Sequence, residues 1–256
     1  MRQEDRDAIR DNYLGDEDGH IYFFYRPKAL EASGVQDIDQ LYIVLRPLAS
    51  KTFRLISIDA QGLPQPGSDF NFVTGRVEKV ETKPFSIEHE LRERFKQVRG
   101  VPDVSQGAAR PCGEGVYTLI SRNDGEHLFY VLELPERGQV ARQINLTKEG
   151  DFRFGVFNPY YGVDPAEMDP QVNPVFPESL RYKLDNERVI FKDVPRYIDF
   201  EGTQVALYRE DSIPGREIRE QMHPLKENAS TTDIFEDLRL NRKRYPVEPL
   251  LRGDFK

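Results

Sequence analysis

Residues 113–136 read GEGVYTLISRNDGEHLFYVLELPE, two apolar runs (115–122 and 127–134) on either side of a short polar segment. The runs are rich in Val, Ile, Leu, Phe and Tyr, the residue types that fill a pleated surface. Asn123, Asp124 and Gly125 stand between them, and these residues tolerate the positive φ of a tight connection. The stretch therefore predicts an antiparallel hairpin, and with it a β-rich fold.

A looser copy of the same pattern lies earlier in the chain. HIYFFYRP (20–27) aligns with GVYTLISR (115–122), LYIVLRP (41–47) with FYVLELP (129–135), and FRLISI (53–58) with FRFGVF (152–157). These alignments place Tyr22 on Tyr117, Tyr42 on Tyr130 and Phe53 on Phe152, in the same order along the chain, which is the pattern of an internal duplication. The expected fold is mostly β (α+β). Two similar antiparallel β-rich halves, residues 15–82 and 112–210, pack as one pseudo-symmetric body, because neither half has enough strands to bury both of its faces alone. Residues 83–111 link the halves, and residues 211–256 form a partly helical C-terminal extension.

Between these landmarks, FNFVTGRVEKVE (70–81) reads as a strand bulged at Gly75. PFSIEHELRERFKQV (84–98) carries Ile87, Leu91, Phe95 and Val98 on one helical stripe, with Ser86 as its N-cap. PESLRYKL (177–184) reads as a short helix, while ERVIFKD (187–193) and EGTQVALYRE (201–210) return to strand character. Beyond residue 213 two short helices are expected, interrupted at Pro224, the second capped near Thr232.

Composition narrows the function classes. The 256 residues are 38% hydrophobic and 31% charged, with 16 Phe, 12 Tyr and no Trp, as in a globular protein with an aromatic core. No window approaches the roughly 20 apolar residues a bilayer requires, and the charged first residues do not resemble a secretory signal, so a cytoplasmic location and no membrane contact are expected. The net charge of −8 repels polyanions, so nucleic acid is not an expected partner. Residues 237–256 are locally basic, six Lys and Arg against three Asp and Glu, and make residues 213–256 a candidate surface for a protein partner. A single cysteine, Cys112, allows no internal disulfide and no multi-cysteine zinc site.

At AARPCGEGVYTLISRNDGEHLFYVLELPE the chain resembles an uncharacterised, largely bacterial family of soluble proteins that carries an Ala-Ala-Arg-Pro-x-Gly-Glu-Gly-Val-Tyr … Leu-Glu-Leu-Pro motif. LYIVLRP, FRFGVFNP and RYIDFEGTQVALY extend that resemblance over roughly residues 19–208. It implies no activity. The family pattern is richer in histidine at the hairpin turn, where this chain has only His127.

The residues themselves offer several candidates. Arg110, Cys112, Glu114, Arg122, Asp124 and His127 fall close together in sequence, and a hairpin folds its ends toward each other. Arginine forks beside glycine backbone suit a small anionic ligand, with Arg110, Arg122 and His127 as binding residues. Cys112, Glu114 and His127 are candidates for nucleophile, orienting acid and base. Gly113-x-Gly115 leads into a strand, so it is not a dinucleotide fingerprint and no cofactor is implied. The four histidines form no short ligand pair, and no metal is expected. The proline-braced segment 158–177 presents Tyr160 and Tyr161 for stacking on a ligand. The leading function is a non-catalytic binding or interaction module with a cleft between the two halves. An enzyme acting on a small anionic or phosphorylated substrate is one alternative, and a subunit docked into a larger assembly through its C-terminal segment is the other.

Overall fold

Strands β1 (Glu17–Pro27) and β2 (Ile38–Pro47) carry unbroken apolar runs at their centres, residues 21–25 and 41–45, and the reason is that both of their faces are covered there. Ile21, Phe23, Leu41 and Ile43 belong to one buried cluster, while Tyr22, Phe24, Tyr42 and Val44 belong to a second on the opposite face. Continuous apolar runs of this kind mark a strand packed on both sides. The structure, a computed structural model, describes residues 16–65, 71–96, 104–163, 168–169, 172–184, 186–210, 216–222, 224, 228 and 230–256.

The remaining strands are β3 (Phe53–Ile58), β4 (Phe72–Glu81), β5 (Arg94–Lys96), β6 (Val104–Gln106), β7 (Arg110–Arg122), β8 (Gly125–Leu134), β9 (Glu149–Phe157), β10 (Val189–Ile190) and β11 (Gln204–Arg209). Eight of them close into an antiparallel barrel in the order β1-β2-β3-β4-β11-β9-β8-β7, with β7 pairing back onto β1. Closure leaves no edge strand within that ring. The fold-deciding stretch forms the β7–β8 hairpin, Leu119 opposite Leu128 and Tyr117 opposite Tyr130. Its turn is Asn123-Asp124, and Gly125 follows at φ +136°, a value that L side chains rarely adopt.

Side chains fill the barrel. Phe23, Tyr117, Tyr130, Phe152 and Phe154 are buried in its core, and each such ring contributes about 1.5–3 kcal/mol through burial. One end is closed by the β8–β9 connection, where Val140, Ala141, Ile144 and Leu146 turn inward around the helix Gln139–Gln143. The insertion between β9 and β11 closes the other end with Phe176, Leu180, Val194 and Tyr197. Beneath that cap the inward-facing Arg54 guanidinium lies 2.5 Å from Glu17 and 2.8 Å from Asp199, and the Tyr117 hydroxyl donates to Glu17 at 2.7 Å. A buried cation is thus paired with carboxylates rather than left alone.

The outer wall of β1, β2 and β3 is covered by two elements. The helix Pro84–Leu91 contributes Ile87 and Leu91, and the C-terminal segment contributes Ile234, Phe235, Leu238, Tyr245 and Leu250. This segment includes the helical turns Ile234–Asp237 and Glu248–Leu251 and wraps the barrel as a strap. Three polar clamps hold it. Buried Glu114 accepts from the Thr232 hydroxyl and, at 2.6 Å, from the Asp233 backbone N–H. Asp237 accepts from the Tyr22 hydroxyl and pairs with Arg46. The Tyr245 hydroxyl donates to Glu88 at 2.9 Å.

Several expectations are corrected. The helix predicted over 84–98 ends at Leu91, with Pro84 at its first turn and Lys83, not Ser86, at its N-cap. Arg92 is already extended, so Phe95 leaves the stripe, lies in β5 and is 77% exposed; Val98 falls outside the described residues. The irregularity in β4 falls at Glu78, between the Leu55–Lys79 and Ile56–Val77 pairs, whereas Gly75 sits in regular ladder opposite Ile58. The aligned pairs Tyr22/Tyr117, Tyr42/Tyr130 and Phe53/Phe152 point to opposite faces, the first of each pair outward beneath the strap and the second into the barrel. Because side chains alternate with period two, that residue-by-residue alignment is one position out of step. The two segments join along the hydrogen-bonded seams β1–β7 and β4–β11.

Candidate functional site

The sequence places Arg110, Cys112, Glu114, Arg122 and His127 within one hairpin, and the barrel then distributes them. Arg110 and Arg122 sit at the two ends of β7, twelve residues and roughly 40 Å apart along the strand. Arg110 is buried against main chain, donating to the carbonyls of Ala108 at 2.8 Å and Leu30 at 2.7 Å. Cys112 faces the barrel core with no exposed surface, and burial pushes its thiol well above the usual range. Glu114 holds the strap. These four side chains and His127 do not converge on one pocket.

His127 lies near the opposite end of the hairpin from Cys112, on a different face. Its Nδ1 is 2.8 Å from Asp151 and its Nε2 is 3.2 Å from Asp124, so carboxylates occupy both ring nitrogens. Burial disfavours the imidazolium, but the hydrogen bonds and charges of Asp151 and Asp124 outweigh it and raise His127 above its ordinary value. Arg122 completes the group, stacked 4.5 Å from the Phe129 ring centre and 3.9 Å from Asp151. The cluster ties β8 to β9 at the hairpin end. With both nitrogens engaged by carboxylates and Cys112 turned into the core, His127 is placed as a clamp rather than as a base for Cys112.

A basic hollow lies at the other end of the barrel, beside the helix Gln139–Gln143. It has a volume of about 610 Å³, and its lining includes Arg137, Arg142, Lys148 and Arg252 together with Glu136 and Asp254, four cations against two anions. Arg252 acts electrostatically on Glu248, while Arg137, Arg142 and Lys148 form no salt bridge with a carboxylate among the described residues. Two segments bring them together. Arg137, Arg142 and Lys148 come from the β8–β9 connection, and Arg252 from the end of the strap. The strap reaches this wall through two glycines. The Val140 N–H donates to the Gly253 carbonyl at 2.8 Å, and a Cβ built on Gly138 would stand 2.4 Å from the Gly253 Cα. Gly253 also holds φ at +71°.

On a chain of net charge −8, four cations against two carboxylates in one concavity form a local reversal of the average field. Guanidinium forks and an ammonium group suit phosphate or carboxylate oxygens. Sequence reasoning did not single out Arg137, Arg142 or Lys148, and it read Arg252 only as part of a basic run. The available signal was three cations in the connection ERGQVARQINLTK (136–148), a density ordinary for any surface loop.

Tyr160 and Tyr161 do line a common cavity, of about 730 Å³, at the capped end formed by the β9–β11 insertion. Among the described residues no group of three or more His, Cys, Asp or Glu is placed to hold a metal ion. No helix among them is long and apolar enough to cross a membrane. Comparisons of the chain with protein-family models, curated proteins and solved structures found no match.

Proposed function

We propose that this protein is a non-catalytic binding module that takes a small anionic ligand, carrying phosphate or carboxylate groups, in the basic hollow beside residues 137–148. The observation that carries this reading is the convergence of Arg137, Arg142, Lys148 and Arg252 on one hollow, the first three without a salt-bridged carboxylate among the described residues. Maintaining cations near one another costs Coulomb energy, and an anion bound between them offsets that cost. The strand order supports a duplicated origin: β1 to β4 and β7, β8, β9, β11 are successive four-stranded meanders whose first strands and last strands adjoin.

The enzymatic alternative needs an acid, a base or a nucleophile beside the anion. Cys112, Glu114 and His127 are instead engaged in the core, the strap and the hairpin clamp. Docking into an assembly through residues 213–256 competes with the strap's own packing on the barrel, which buries Ile234, Phe235 and Leu250. The test is thermal unfolding with pyrophosphate at fixed ionic strength. Binding to the native state raises the melting temperature, by the equivalent of about 2.7 kcal/mol at a hundredfold excess over Kd. Arg142→Gln combined with Lys148→Gln should abolish the rise. Equal stabilisation of the double variant would reject the site.

A further inference from the structure

The cavity at the capped end, opposite the basic hollow, has different chemistry. Its walls come from the turn after β9 and from the helix Glu178–Arg181, and its lining includes Tyr160, Tyr161, Tyr182, Glu178, Arg181 and Asn186. A volume of about 730 Å³ lies within the range of small-molecule sites.

The floor is rigid. Tyr160 packs edge-on against Phe176 of the core, with ring centres 6.3 Å apart. The Asn158 side chain donates to the carbonyls of Leu184 at 3.1 Å and Glu187 at 3.2 Å, while its oxygen accepts from the Tyr160 backbone N–H at 2.9 Å. These bonds fix the two walls relative to each other. The rim is the reverse. Tyr161 is 51% exposed and Tyr182 81% exposed, so two aromatic faces stand in water around a preformed hollow. The Tyr182 hydroxyl donates to Glu178 at 3.2 Å, which orients that ring and leaves the second carboxylate oxygen of Glu178 able to accept from a ligand.

We infer that this cavity is a saccharide-binding site. The electron-rich face of a tyrosine ring attracts the C–H groups on the apolar face of a sugar ring. Hydroxyl groups at the sugar's edge require donors and acceptors at once, which Arg181, Asn186 and Glu178 supply together. The charge balance separates this cavity from the basic hollow: Arg181 is matched by Glu178, so nothing here selects a phosphate. The site is independent of the proposed anion site, which lies at the other end of the barrel.

The experiment is saturation-transfer NMR and calorimetry of the full chain with maltotriose, cellotriose and triacetylchitotriose as separate probes. At least one should bind with Kd near or below about 1 mM, with transfer strongest to the ring C–H protons. Tyr182→Ala and Tyr161→Ala alter exposed side chains, so the barrel should stay folded, and each should weaken that binding about tenfold. Arg142→Glu, in the other hollow, should leave it unchanged. The inference fails if none of the three probes binds, if both tyrosine variants bind as tightly as the parent, or if adenosine occupies the cavity more tightly than any of the sugars.

Discussion

Replacing Glu126 by Gln should stabilise the protein at neutral and alkaline pH. Glu126 opens β8 opposite Ser121 and is 1% exposed, with its two carboxylate oxygens 3.4 and 3.3 Å from the Ser121 hydroxyl. Burial, followed by the charge of Asp16, pushes it from 4.5 up to about 7, with Asp193 adding a smaller contribution in the same direction. For a raised carboxyl the native state holds its proton longer than the unfolded chain does. Its contribution is therefore fully present below 4.5 and is lost as pH rises to about 7. An interval from 4.5 to about 7 corresponds to about 3 kcal/mol, an upper bound for a group near the barrel's mouth. Glutamine keeps the shape, removes the ionisation and presents an N–H₂ donor. Urea denaturation of parent and variant at pH 4, 6 and 8 reads the effect directly. The difference in unfolding free energy should be smallest at pH 4 and grow to about 1–3 kcal/mol in favour of the variant at pH 8. A difference that does not change with pH, or a variant less stable at pH 8, would refute the reasoning.

Three further outcomes follow from the same structure. Glu114→Ala removes the acceptor for Thr232 and the Asp233 N–H, so it should cost about 2–3 kcal/mol and raise hydrogen exchange selectively over residues 230–256; protection unchanged there would contradict the strap's attachment. Cys112, buried in the barrel, should react with a thiol reagent only after unfolding, and a fast reaction with native protein would place it elsewhere. Gly253→Ala forces a side chain onto φ +71° and against Arg137 and Gly138, so it should lower stability by about 1–2 kcal/mol and weaken pyrophosphate binding together, measured by denaturation and calorimetry.

The hairpin was legible because its signals are local. Asn-Asp-Gly fixes the turn, and the apolar runs on either side fix the strands. The same locality explains the misplaced helix: Phe95 continues the four-residue spacing of Ile87 and Leu91, but the chain has already turned extended at Arg92 to pair β5 with β6. The alignment of Tyr22 with Tyr117 failed for a related reason. In β1 both faces are apolar, so the sequence carries no alternation from which to read which aromatic points inward. That double burial itself implied an outer covering, which the strap provides. The sites were harder to read. Arg110, Glu114 and His127 looked reactive as neighbours in sequence, yet the β7–β8 hairpin spaces them along its length and each charge finds a structural partner. The basic hollow draws on residues 137 to 252, and only closure of the barrel and docking of the strap bring those cations to one place.

The most direct test of the binding account is an amide NMR titration of the folded protein with pyrophosphate at constant ionic strength. Saturable shifts should concentrate on residues 136–148 and 252–254, with Arg142→Gln reducing them. Shifts that never saturate, or that gather around the β7–β8 turn instead, would contradict the assignment of the anion to this end of the barrel.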